Sequence, residues 1–216
     1  MAPRTSALAA LVVALLSLPA SAQDPASAQE VARGQELYAL CEQCHLADGR
    51  GSPLALAPAI AGLPQWYVVA QLQKFRAGYR GQHFDDIAGM RMRPMSMALA
   101  NDADVNAVAA YVATLAPVDP APVLVGGDAA KGQALYAPCA ACHAPDGSGN
   151  PAVFGPPLKD ASDWYMLTQL ANFKAGVRGT RPGDTSGALM RPMSLTLADE
   201  QAMRDVIAYI TTLSKN

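Results

Sequence analysis

The sequence predicts an all-α protein built as two tandem copies of one small domain. A fixed step of 98 residues relates Gly34 to Gly132, Tyr38 to Tyr136, Cys41 to Cys139, Trp66 to Trp164, Phe75 to Phe173, Met92 to Met190 and Tyr111 to Tyr209, with no gap between Gly34 and Leu115. Apolar residues recur at helical spacing between loops rich in Gly and Pro, and no alternating run is long enough for a strand. A duplicated helical unit follows from these two observations.

The N-terminus reads as a targeting segment. Arg4 precedes an apolar run of 12 residues from Ala7 to Leu18, and a small-residue site follows at Ala20-Ser21-Ala22. The run is short of the ~20 residues needed to span a bilayer, so residues 1–22 are expected to be a signal peptide cleaved near Ala22/Gln23. An uncleaved anchor is the alternative. Residues 28–116 form the first domain, 117–126 a linker within the Pro/Gly-rich "APVDPAPVLVGG", and 127–216 the second domain. The linker is expected to be extended and semi-rigid.

Within the first domain a helix is predicted over about Ala28–Leu40, running into "CEQCH". Its copy starts at Ala129 and runs into "CAACH". Gly- and Pro-rich loops follow both. The segment "QWYVVAQLQKFRAG" puts Trp66, Val69, Leu72 and Phe75 on one helical face and stops at Gly78. A last helix starts at an Asn101 cap and keeps Val105, Val108, Val112 and Leu115 on a face; the copy runs from Asp199 to Leu213. Each half is small for an all-helical domain and gains from a prosthetic group in its core.

Four cysteines in an exported chain ordinarily suggest disulfides, but here they stand as Cys41-x-x-Cys44-His45 and Cys139-x-x-Cys142-His143. That spacing lets two thiols add to the vinyl groups of a haem while the adjacent imidazole coordinates its iron. Two covalently attached haem c groups are therefore expected, with His45 and His143 as iron ligands. A dithiol redox pair or a zinc site bridging the repeats are the other uses of such cysteines; neither explains the repeated His and Met.

The second axial ligand should repeat with the same period. His83 faces Arg181 in the copy, so it reads as a loop or surface residue. Of nine methionines, only Met92/Met190 and Met95/Met193 repeat, both within "MRPMS". Core packing is the other reading of a repeated methionine. His/Met coordination fills the iron and raises its potential relative to His/His, which favours one-electron transfer over oxygen or peroxide chemistry. Spacing alone leaves Met92 and Met95 open.

The paired C-x-x-C-H, "QLQKFRAGYRG" and "QLANFKAGVRG", the "MRPMS" segments and the closing "AAYVATL" and "IAYITTL" resemble the dihaem cytochrome c4 family over nearly the whole mature chain. The resemblance implies two class I cytochrome c domains related by a pseudo-twofold, with haem propionates meeting near the interface. It implies a periplasmic electron carrier, not an enzyme, working between a bc1-like complex or dehydrogenase and a terminal oxidase or reductase. A permanently docked subunit of a dehydrogenase or oxidase complex is the alternative. It selects the first methionine, Met92 and Met190, as ligand and leaves Met95 and Met193 to pack. It points to Pro58 and Pro156, 13 residues after each His, as the carbonyls that orient the imidazoles. Arg80 and Arg178 are expected either to pair with propionates or to lie on a solvated face.

Charge narrows the partners. Taking Arg4 from the 16 basic residues leaves 15 against 18 acidic, a net of −3. No basic run suggests nucleic acid. No strong one-sign patch stands out, so docking is expected to use a mostly apolar rim around a haem edge. Peripheral membrane association is compatible with this; a transmembrane span in the mature chain is not expected.

Overall fold

In the computed structural model residues 26–214 are described, so the leader expected over 1–22 lies outside the described residues. Ser27 caps α1 (Ala28–Tyr38), its hydroxyl accepting from Glu30 N–H. The copy, α6 (Ala129–Tyr136), starts three residues later in the repeat, because Asp128 accepts from the N–H groups of Ala130 and Lys131. The predicted first helix is broken near its end: α2 (Glu42–His45) and α7 (Ala140–His143) are separate single turns that carry the C-x-x-C-H residues. Each is followed by a residue with φ of 65°, Leu46 and Ala144. Buried tyrosines fix these two turns: Tyr38 donates to the Leu46 carbonyl at 2.8 Å and Tyr136 to the Ala144 carbonyl at 2.7 Å.

Helices α3 (Gln65–Arg76) and α8 (Asp163–Lys174) end where expected, before Gly78 and Gly176 in positive φ. Arg76 and Lys174 then donate to the carbonyls of Leu99 and Leu197, tying each helix to the entry of the last one. The "MRPMS" segments are helical, in α4 (Ile87–Met97) and α9 (Thr185–Leu195). Asp86 and Asp184 start these helices by accepting from the N–H groups of Gly89 and Gly187. Pro94 and Pro192 lie inside them and remove an amide donor. Each proline is close enough to the helix end that one lost bond does not stop the turn. Asn101 and Asp199 cap α5 (Asp102–Thr114) and α10 (Glu200–Leu213).

Among the described residues there is no strand, only the bridges Ser52–Ala57 and Asn150–Gly155. The core of each domain lies between its first, third and last long helices. Val105, Val108 and Val112 on α5 are at most 2% exposed and pack with Tyr38, Leu72 and Leu99; Val206, Ile207 and Ile210 on α10 do the same with Tyr136, Met166 and Leu197. The first and last helices cross without a side chain between them. A Cβ on Gly34 would stand 1.9 Å from the Ala107 carbonyl oxygen, and one on Gly132 1.9 Å from that of Asp205. Glycine is required at this crossing by close approach, not by an unusual φ.

The linker is irregular and held against the second domain: the N–H groups of Val123 and Leu124 both donate to the Asp163 carboxylate, at 2.8 and 2.7 Å. The domains face one another through α3 and α8, and residues 98 apart exchange contacts, as a twofold relation requires. Arg80 donates to Gln71 of its own domain and to Tyr165 and Gln169 of the other. Arg178 donates to Gln169 of its own domain and to Gln71 across the interface.

Candidate functional site

Each domain opens an apolar cleft beside its C-x-x-C-H turn. The first, of about 870 Å³ including open space at its mouth, is lined by Cys41, His45, Pro58, Leu72, Arg80 and Met92, among others. The second, of about 1450 Å³ including open space at its mouth, is lined by Cys139, Cys142, His143, Pro156, Arg178 and Met190. Cys44 is exposed at the surface of the first turn. The structure thus brings the histidine, one repeated methionine, the proline and the arginine expected for each repeat into one cleft. Met95 is 37% exposed and outside the first cleft, whereas Met193 lines the second together with Met190. His83 stays outside both clefts and stacks on Phe84, with ring centroids 4.7 Å apart.

The imidazoles are buried and oriented. His45 Nδ1 lies 2.9 Å from the Pro58 carbonyl and His143 Nδ1 2.8 Å from that of Pro156. Burial lowers both pKa values below the ordinary histidine range, against the opposing effect of these carbonyl bonds. A neutral ring that donates through Nδ1 presents the lone pair of Nε2. The thiols are shifted the other way: burial, followed by the charge of Cys44, pushes Cys41 up to about 11, and burial raises Cys139. Among the described residues no three His, Cys, Asp or Glu side chains converge as a metal site, so a zinc site bridging the repeats is not assembled.

Between the clefts lies a buried cationic interface. Arg80 and Arg178 are 5% and 6% exposed, so neither occupies a solvated face. Each guanidinium stacks over a phenylalanine near the end of the preceding helix, 4.2 Å from Phe75 and 4.5 Å from Phe173. Neither forms an ion pair with a carboxylate within 4 Å among the described residues, and the Nε atoms of both are buried without a partner. Buried cations ordinarily have an anionic partner. The residues present therefore fit a haem c in each cleft: thiols on the rim, a neutral imidazole, a thioether and unpaired guanidinium groups suited to carboxylates.

Sequence reasoning missed the residues that complete each cleft from the opposite domain. Tyr165 lines the first cleft; Ala59, Leu63, Tyr67, Gln71 and Lys74 line the second. Tyr67/Tyr165 and Gln71/Gln169 also keep the 98-residue step, so the period marks them as repeated without showing that they face the other copy. Lys74 does not, because its copy is Asn172. Its ammonium lies 2.6 Å from Asp184 in the other domain.

The Cytochrome c family model matches residues 31–116 and again 129–214. A thiosulfate dehydrogenase electron acceptor of Stutzerimonas stutzeri is 32% identical over 198 residues, 87% of each chain. The solved structure of reduced cytochrome c4 from Pseudomonas stutzeri superposes with a TM-score of 0.66 at 28% identity, covering 84% of this chain and 97% of that one. A thiosulfate dehydrogenase from Marichromatium purpuratum matches with a TM-score of 0.67 at 33% identity; 84% of this chain covers 40% of that longer one. Among the described residues no helix is long and apolar enough to cross a membrane.

Proposed function

Because the chain belongs to the cytochrome c family, as two tandem haem c domains of the cytochrome c4 kind, we propose that it carries single electrons in the periplasm from a dehydrogenase or bc1-like complex to a terminal oxidase or reductase. The haem groups supply the reversible ferric/ferrous couple. The chain's own residues hold that couple in place and keep solvent from it. Cys41, Cys44, Cys139 and Cys142 would form the thioethers, and His45 with Met92 and His143 with Met190 would hold the irons. Pro58 and Pro156 would orient the imidazoles, and Arg80 and Arg178 would pair with the propionates.

One observation carries this reading: two clefts, each with a histidine and a methionine, meet at one buried interface bearing two guanidinium groups without carboxylate partners. Such an arrangement supports two one-electron centres next to each other. Val153, Phe154 and Leu189, all at least 40% exposed, line the second cleft and supply an apolar docking rim.

A thiosulfate dehydrogenase is a specific candidate donor, supported by the relative described as its electron acceptor and by the longer solved chain that contains a comparable unit. The same resemblance supports a permanently docked subunit as the second reading. Gentle membrane purification separates the two: a free carrier leaves in the soluble fraction, whereas a subunit stays with its dehydrogenase or oxidase. Stopped-flow reduction by a purified thiosulfate dehydrogenase with thiosulfate tests the donor; a rate no faster than with thiosulfate alone would eliminate it.

A further inference from the structure

The interface breaks its own symmetry at one buried charge. Lys74, on α3 of the first domain, reaches 2.6 Å from Asp184 Oδ1 and 2.5 Å from Ser186 Oγ at the start of α9, and it lines the second cleft. The lysine side chain is 13% exposed and the aspartate side chain is fully buried. Ninety-eight residues away the same geometry would need Asn172, Asp86 and Ala88. Asp86 keeps its bonds to Gly81 N–H and Gly89 N–H, but no ion pair joins it to the second domain among the described residues.

The two clefts therefore differ by one buried positive charge. Arg80 and Arg178 repeat and cancel in the comparison, as do Asp86 and Asp184. A haem iron gains a unit of positive charge on oxidation, and a cation held nearby away from bulk water opposes that gain. We infer that Lys74 is a cross-domain positioning residue that raises the reduction potential of the haem held by the second domain, and that Asp184 sets the size of this effect by pairing with it. The inference rests on the electron-transfer reading insofar as it takes a haem to lie in the second cleft.

The test is a spectroelectrochemical titration of the full dihaem protein, with Met190→Ala used to assign the potential of the second haem. Haem content of two per chain and a reversible titration in the parent protein check the electron-transfer reading separately. Lys74→Gln should move the second haem's potential downward and leave the first in place, whereas Lys74→Arg should keep it. Asp184→Asn should move the same potential upward, because it removes the opposite charge while asparagine still caps α9. A merely structural role for the ion pair gives the same direction for Lys74→Gln and Asp184→Asn, and that result would overturn the inference. So would equal shifts of both haems, or no shift in either variant. Asn172→Lys, which places an ammonium opposite Asp86, should raise the first haem's potential alone; failure to do so counts against charge as the cause.

Discussion

The two domains are near copies inside and unlike outside. Their helix crossings, tyrosine-fixed turns, capped α4 and α9 and histidine–proline contacts agree residue by residue. At the surface the first domain exposes Phe84, Ile87 and Met90, where the second has Pro182, Thr185 and Ala188. Beside its cleft the second domain exposes Phe154 and Leu189, where the first has Leu56 and Arg91. The interface itself divides in the same way. Arg80, Arg178, Gln71 and Gln169 exchange contacts reciprocally, but Lys74–Asp184 and Ala59–Ser162 run only from the first domain to the second. The haem-holding geometry tolerates little change, while the surfaces that meet partners, and each other, are free to diverge.

The largest test of this equivalence is at the helix crossings. Gly34→Ala and Gly132→Ala each force a methyl onto a carbonyl oxygen, and each should cost about 3 kcal/mol or more in urea unfolding. Clearly unequal losses would break the comparison. Next come the ligands: Met92→Ala and Met190→Ala should each abolish half of the near-infrared methionine-to-ferric-iron band, while Met95→Ala and Met193→Ala retain it. Met193 is the sharper case, since it shares its cleft with Met190.

A smaller effect is expected where the interface is one-sided. Ser162 accepts from the Ala59 N–H at 3.0 Å, and Pro64 occupies the corresponding place in the first domain. Ser162→Ala leaves that partly buried amide without its partner and should weaken the domain association by about 1 kcal/mol, read from the unfolding midpoint. The smallest effect is a pH dependence that arises at one position of the second domain. The Asp128 N–H, with help from Gln201, holds Asp205 below the usual carboxylate range. A depressed folded pKa gives stability that is present above the unfolded value of about 4 and is lost as pH falls through the folded one. Asp205→Ala should therefore lower the thermal midpoint at neutral pH, with the difference from the parent fading on acidification. The first domain has Ala107 at this position and lacks this contribution.

Much of this was legible in the sequence, for reasons visible in particular residues. Valines at helical spacing and the Asn101 and Asp199 caps mark α5 and α10, because burial and capping are local signals. Helices α4 and α9 were not legible: Gly89 and Pro94 conceal a helix whose start depends on a single aspartate cap. The sequence left Arg80 and Arg178 between solvent and an anionic partner, and burial removes the solvent alternative. What no period contains is which residues of one copy touch the other. Lys74 is a case in point, since its role exists only because its counterpart lacks it.

The crossing of α1 over α5, and of α6 over α10, joins the first helix of each unit to its last at a contact too close for a side chain. Each unit is thereby closed by its own ends, although its cleft is completed by residues of the other. A segment so closed can be copied in series with no more than a short connector, each copy bringing its whole architecture with it. The exact register of the repeat from Gly34 to Leu115 is the record of such a copying event.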